Sequence, residues 1–365
     1  MPPKFNFPVV LVSPLDWGLG HATRCIALIR ALQELGARVI IACDGAPEAL
    51  LRQEFPKLQF LRLEGYHIRY ARKKKSWLAP ALLFQSMKIF AAIRREHRWL
   101  EETIAREGIS LVISDNRFGL WTKRLPCIFM THQLLIKAPS SWLERLIQKI
   151  NYSYINRFTR CWVPDAPGEK NLAGELSHPA ILPEIPVHYL NLPARFLPGE
   201  APVAFDCCVL LSGPEPQRTV LEEKIIQGLR DTTHRILIVR GLPLATRLPE
   251  VPPHVQIVQH LPGEALRQAL LQSRYIIARS GYTTIMEILA MQKKSILVPT
   301  PGQTEQEYLA RHLSEAQLCY CINQDDFQLT VALSAAEAFN YHQQVFPLLR
   351  AEQLAKELNA LSGTN

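Results

Sequence analysis

The sequence predicts an α/β protein of two doubly wound, Rossmann-like domains facing one another across a cleft. Three observations carry this. Short apolar, strand-like runs alternate with helical apolar periodicity from the start of the chain. The alternation halts at a proline-rich passage and then restarts, and 365 residues suffice for two domains with a core each. The expected domains are 1–195 and 196–365, with the last helix able to pack back on the first domain.

In the first half, Val9–Val12 reads as a strand, and a glycine-containing turn leads to a helix over Ala22–Leu35, with Ile26, Leu28, Ile29 and Leu32 apolar and Gly36 closing it. Arg38–Ala42, Gln59–Leu63, Leu111–Ser114, Cys127–Met130 and Cys161–Val163 follow as strands with helices between them. The passage Pro179–Pro202 reads as a linker. Strands then resume at Cys207–Leu211, Ile236–Val239, Val255–Val258, Tyr275–Ala278 and Ser295–Val298. Ligands of such sheets collect beyond the carboxyl ends of the strands.

The most informative stretch is Ala278–Arg311. A strand runs into Arg279-Ser280-Gly281, and a helical pattern opens at Thr283 and Thr284. Unpaired N–H groups and the positive end of the helix dipole make that junction an anion site, which a diphosphate fits. Glu287, one turn in, suits the vicinal hydroxyls of a ribose, and Gln303, Glu305 and Gln306 in the loop Pro299–Gln306 suit a sugar. The plainer alternative for Thr284-x-x-Glu287 is a capping box, and for the loop a solvated surface.

The first strand ends in Asp16-Trp17-Gly18-Leu19-Gly20-His21-Ala22-Thr23. His21 heads a helix, where an imidazole takes a proton near neutral pH, although a lone histidine also serves as a structural residue. Asp115 and His132 each follow a strand and offer themselves as alternative bases, or as turn and cap residues. Gly18 and Gly20, with Asp44 ending the second strand, half-match a dinucleotide fingerprint, which keeps a dinucleotide-dependent oxidoreductase in view.

A charged share of 20% and a hydrophobic share of 48% describe an ordinary folded chain. The N-terminal apolar run is too short for a signal segment and no stretch reaches about 18 apolar residues, so a cytoplasmic protein is expected. The eight cysteines form neither a Cys-x-x-Cys nor a Cys/His array, which predicts reduced, buried thiols and no metal. Between Arg62 and Arg106 eleven Lys/Arg face four Asp/Glu, nearly the whole net charge of +8. Within it, residues 69–90 join Lys73-Lys74-Lys75 to Trp77, Leu82, Leu83 and Phe84, as a segment attracted to an anionic membrane surface does; the alternative is a solvated loop before a core helix. Nucleic acid is not an expected partner, because the aromatics do not interleave with the cations.

Taken together, the Gly-x-Gly-His turn, Leu211-Ser212-Gly213 and the block from Ser280-Gly281 through Thr284, Glu287 and the Pro299–Gln306 loop resemble the GT-B glycosyltransferases related to the bacterial N-acetylglucosaminyltransferase that forms lipid II, in glycosyltransferase family 28. The resemblance spans most of both halves and is most specific in the C-terminal block. It implies an acceptor-binding first domain with Gly18 and Gly20 on the acceptor side, and a second domain that binds a UDP-sugar as donor substrate. The transfer it implies inverts the sugar and uses no metal or other cofactor. By this likeness Leu261 meets uracil through its backbone, Ser212, Gly213, Ser280 and Gly281 lie near the diphosphate, Glu287 holds the ribose, and Gln306 holds sugar hydroxyls, with Arg279, Thr284 and Gln303 as further donor-side residues. His21 is the base or an acceptor-side contact, and the acceptor is a glycan or a lipid-linked molecule. Two departures leave the sugar open: the family's Gly-Gly-Ser-Gln-Gly loop is Leu210-Leu211-Ser212-Gly213-Pro214-Glu215 here, and its paired glutamines are Glu305-Gln306. A UDP-sugar 2-epimerase on the same fold stays as a further alternative.

Overall fold

The computed structural model describes residues 7–66, 78–138, 140–243 and 245–362. It divides into two units, one comprising Met1–Glu169, Glu175–Arg195 and Pro347–Asn365, the other Lys170–Gly174 and Phe196–Phe346.

The first unit contains β1 (Val9–Pro14), α1 (Gly20–Glu34), β2 (Arg38–Cys43), α2 (Gly45–Glu54), β3 (Gln59–Arg62), α3 (Leu78–Glu107), β4 (Leu111–Asp115), β5 (Cys127–Met130), α4 (Ser141–Ile155), β6 (Arg160–Val163) and β7 (Val187–Tyr189). These strands form one parallel sheet in the order β3-β2-β1-β4-β5-β6-β7, with Val12 beside Ile41 on one side and Ile113 on the other. The central strands are buried along nearly their whole length, as parallel strands covered on both faces must be.

The second unit contains β8 (Phe205–Leu210), α5 (Gln217–Gly228), β9 (Ile236–Val239), β10 (Val255–Val258), α6 (Gly263–Leu271), β11 (Ser273–Ala278), α7 (Tyr282–Ala290), β12 (Lys294–Leu297), α8 (Thr304–Glu315), β13 (Tyr320–Cys321) and α9 (Leu329–Ala338). Its sheet is again parallel, in the order β10-β9-β8-β11-β12-β13. The last helix, α10 (Ala351–Ser362), belongs to the first unit, where Leu354, Leu358 and Leu361 pack with Val10, Ile26 and Ile29. In both sheets the strand order reverses beside the first strand, at β1/β4 and at β8/β11, and there the carboxyl ends open a crevice for a ligand.

Two expectations are corrected. The proline-rich passage is more than a linker, because β7 lies within it and pairs with β6, Cys161 standing beside Val187. Proline is tolerated there because β7 is an edge strand and Pro186 needs only its carbonyl, which accepts the Cys161 N–H at 2.9 Å. No helix joins β4 to β5, either. That connection is held by Arg117, fully buried, whose Nε donates to Glu96 Oε1 at 2.7 Å, while Gly119 N–H and Tyr66 O–H donate to Glu96 Oε2. Burial raises the Glu96 carboxyl above the ordinary carboxylate range despite Arg117. The eight cysteines are free thiols, all but Cys321 buried.

Candidate functional site

In the second unit the turns after β8, β11 and β12 converge. Gly213, in the turn after β8, has φ +101°, which glycine alone adopts without strain, and a Cβ built there would stand 3.9 Å from both Arg279 Cγ and Thr300 Oγ1. A Cβ on Gly281 would stand 4.0 Å from Gln306 Nε2. Ser280 Oγ donates to the Gln306 carbonyl at 2.8 Å, and Thr300 N–H donates to Gln306 Oε1 at 2.9 Å. Gln306 is therefore buried and half committed to shaping the loop, with its amide nitrogen turned to Gly281.

Arg279 is 1% exposed, and its guanidinium donates to the carbonyls of Val298, Pro299 and Gln217 and to Gln324 Oε1. These are dipoles, and among the described residues no carboxylate balances its charge. Burial draws the group down to about 10. Three buried polar atoms of this cluster lack a hydrogen-bond partner: Arg279 Nε, Thr300 Oγ1 and Gln303 Oε1. A buried cation without a counter-charge, beside buried polar atoms without partners, is costly in an empty site and suits a polar, anionic occupant.

The helix α7 begins at Tyr282 with Gly281 as its extended N-cap (φ −75°, ψ 139°) and without a side-chain cap. The positive end of its dipole thus lies directly after Arg279-Ser280 in the chain. The capping-box reading of Thr284 and Glu287 fails on register: the box needs Thr284 as the N-cap, and the N-cap lies three residues earlier. Thr284 is half-buried and Glu287, at 5% exposure, is buried in the body of the helix. Ser212 is half-buried beside Gly213. Pro214 removes one N–H from this turn, and Glu215 accepts from Arg218 Nε at 2.6 Å, which fastens the turn to α5. Leu261 stands apart along the sheet, in the loop between β10 and α6, half-buried against Leu266 and Leu270.

In the first unit His21 and His132 follow β1 and β5, Asp115 is the last residue of β4, and one residue ties them together. Gly18 makes the turn with φ +75°, and α1 starts at Gly20, two residues earlier than the periodicity suggests. Arg24 is thereby one turn beyond His21 on the same face and 1% exposed. Its Nε donates to Asp115 Oδ2 at 2.8 Å and its Nη2 makes a short bond to Oδ1. Nη1 donates to His132 Nδ1 at 2.8 Å, and because arginine only donates, the His132 proton sits on Nε2. His21 Nδ1 stands 3.2 Å from Asp115 Oδ1 and 2.9 Å from Arg24 Nη2.

Burial opposes ionisation of Asp115, but Arg24 and then His21 outweigh it and hold the carboxyl well below the usual carboxylate range. Asp115 is thus a fixed anion with both oxygens engaged, suited to orienting a base rather than to being one. Nothing in the sequence marks Arg24 except its place three residues after His21, at a position that the helix buries. Among the described residues, no group of three His, Cys, Asp or Glu side chains is placed to hold a metal ion, and no helix is long and apolar enough to cross a membrane.

Residues 256–356 match the model of the glycosyltransferase family 28 C-terminal domain. This stretch is a glycosyltransferase domain. The fold of the whole chain is that of the GT-B glycosyltransferases. The structure is similar to that of CalG4, the calicheamicin glycosyltransferase, at 15% identity and a TM-score of 0.65, covering 98% of this chain and 99% of that one. It is similar to SnogD from Streptomyces nogalater at 16% identity and 0.61, covering 97% and 99%. Acinetobacter baumannii MurG matches at 14% identity and 0.53, covering 98% and 94%. A search of curated proteins returns no match to the sequence. The glycosyltransferase domain favours neither the oxidoreductase built on Gly18, Gly20 and Asp44 nor the UDP-sugar 2-epimerase.

Proposed function

We propose that this glycosyltransferase moves a hexose or N-acetylhexosamine from a UDP-sugar to a glycan or lipid-linked acceptor, with inversion and without a metal. The observation that carries this reading is Arg279, a buried cation with no carboxylate partner, set at the head of α7 beside the unpartnered Thr300 Oγ1 and Gln303 Oε1. A nucleoside diphosphate supplies the missing negative charge and acceptors for N–H and O–H groups.

In this mechanism the acceptor hydroxyl loses its proton to His21 Nε2 as its oxygen attacks the anomeric carbon. The bond from that carbon to the diphosphate oxygen breaks with its electron pair on UDP. His21 Nδ1–H donates to Asp115, which keeps its negative charge and offsets the imidazolium that forms. Charge gathering on the leaving diphosphate is stabilised by the N–H groups at Ser212–Gly213, by the first turn of α7 and by Arg279. Glu287 holds the ribose, Leu261 the uracil, and Gln303 and Gln306 the sugar hydroxyls. His132, with its proton on Nε2, donates a hydrogen bond to the acceptor.

Calorimetry with UDP, GDP, TDP and NAD tests the donor. Binding of UDP in preference to the others supports the reading, and preference for NAD overturns it. The acceptor's lipid character rests on residues 69–90 as the contact with an anionic membrane surface; of these, 69–77 lie outside the described residues.

A further inference from the structure

In the second unit one buried carboxylate joins the turns that follow three neighbouring strands, β8, β9 and β10. Glu222, on α5, is 4% exposed. Its Oε2 accepts from Arg218 Nη2 at 3.1 Å and from Arg240 Nη2 at 3.0 Å, and its Oε1 accepts from Arg240 Nε. Burial opposes its ionisation, but hydrogen bonds from Arg240 and then Arg218 outweigh this and hold the carboxyl below the usual range. Each arginine reaches on to a different loop. Arg218 holds Glu215, the end of the Ser212–Glu215 turn after β8. Arg240, which follows β9, donates through Nη1 to Gln259 Oε1 and to the Arg247 carbonyl, both at 2.9 Å. Gln259, two residues before Leu261, closes the ring by donating to the same Arg247 carbonyl at 2.7 Å and accepting the Leu242 N–H at its own carbonyl. Between them, Gly241 has φ +68°, and a Cβ built there would stand 2.5 Å from the Leu211 carbonyl oxygen, so only glycine lets the chain after β9 lie against the turn after β8.

We infer that Glu222 is a positioning residue for the donor, which fixes the diphosphate turn at Ser212–Glu215 and the base loop at Gln259–Leu261 in one register, so that both ends of a nucleoside diphosphate are met at once. The inference rests on the donor reading given above. Stability alone is a poor account of the cluster, because a buried group of ions is on balance often no more stabilising than apolar residues of the same volume. Its placement is at the carboxyl ends of the strands, where ligands of such sheets collect, and what it holds is loop on both sides. Two subsites in fixed register bind a linked ligand much more tightly than either of its parts, since the second contact is made within one complex. Where the loops slide, part of that gain is spent on ordering them. Glu222 touches no ligand in this scheme and acts through Arg218 and Arg240.

The test compares three probes on the full chain: UDP, which spans both loops, and uridine and inorganic pyrophosphate, which each occupy one. Affinities are measured by calorimetry or by ligand-observed NMR for wild type, Glu222→Gln and Gln259→Ala, with melting temperatures alongside. Glu222→Gln keeps the shape and removes the charge that both arginines share. It is expected to weaken UDP about tenfold or more while uridine and pyrophosphate change by less than about twofold. Gln259 is half-buried, and Gln259→Ala leaves the ion cluster intact while freeing its base-loop end. That variant is expected to show the same split, about fivefold on UDP, with a melting temperature within a few degrees of wild type. Where Glu222→Gln fails to fold, Gln259→Ala decides. Unchanged UDP affinity in the folded variants overturns the inference, and so does equal weakening of all three probes, which makes the cluster a support of the fold. Loss of uridine binding alone in Gln259→Ala also overturns it, because the glutamine is then a base contact. A wild-type protein that binds neither UDP nor uridine refutes the donor reading itself, and is told apart from these outcomes before any variant is made.

Discussion

Arg24 and Asp115 form a fully buried pair in which one guanidinium occupies both carboxylate oxygens and still reaches His132 at 2.8 Å and His21 at 2.9 Å. Asp115→Asn and Arg24→Met are each expected to cost about 3–5 kcal/mol in urea unfolding, because each removes one member of a buried ion pair. The double variant loses less than the sum, since neither charge then remains. Additive losses would show that the pair is not coupled.

The same pair sets an acid limb. The folded-state pKa of Asp115 is depressed, so its contribution is complete above the unfolded aspartate value of about 3.9 and fades as pH falls toward the lower folded value. Asp115→Asn should flatten the stability profile below about pH 4 and lower it uniformly above. Melting curves from pH 2 to 7 check the slope.

Catalysis is expected to fail at His21 before it fails at His132. His21→Ala should cut turnover on the order of a hundredfold or more while UDP affinity stays near wild type. His132 accepts through Nδ1 from an arginine and cannot take a proton there without losing that bond, so His132→Ala should act mainly on the acceptor KM. Steady-state kinetics that show the reverse pattern would exchange the two roles.

The elements that were legible in the sequence are those whose burial writes a strong period. Ile236–Val239 and Val255–Val258 occur where their apolar runs place them, and Ser280-Gly281 does stand at the head of a helix. What was illegible depends on contacts between distant turns. Arg24 looks like an ordinary surface cation until Asp115 arrives 91 positions later, and β7 is masked by its prolines until β6 supplies a partner. The Thr284/Glu287 box matched by spacing alone, and the extended backbone of Gly281 moved the cap.

Glu287 separates ribose binding from helix stability, now that the N-cap excludes the capping role. Glu287→Gln should lower UDP affinity about tenfold, in line with losing a hydrogen bond from a ribose hydroxyl to a charged acceptor, with a much smaller change in melting temperature. Calorimetry that returns an unchanged UDP affinity removes Glu287 from the donor site.

Alkali should unfold the chain through its thiols. Burial pushes Cys43, Cys127, Cys208 and Cys319 up to about 12, so each stays protonated in the folded state, while unfolded thiols ionise from about 9. Stability is therefore complete below pH 9 and falls as pH rises from 9 toward 12, by about 1.4 kcal/mol per pH unit for each thiol. Cys208→Ala should remove one such increment from the slope. Thiol reagents at neutral pH should label Cys321, the one thiol that is not fully buried, ahead of the rest.

Thr300 offers the sharpest test of an anionic occupant, because its hydroxyl is buried without a partner while its backbone N–H is held by Gln306. Thr300→Val keeps the shape and the backbone bond and deletes only the oxygen. In the empty protein that should be neutral or stabilising by about 1 kcal/mol, since an unsatisfied buried group is removed. If the hydroxyl serves the donor, UDP-sugar affinity must fall at the same time, by about tenfold for one lost hydrogen bond to a charged oxygen. A site built for a ligand is expected to show the two signs together, greater stability when empty and weaker binding. Loss of stability in the empty protein with unchanged affinity would mean that the oxygen supports the fold, and would withdraw Thr300 from the donor site.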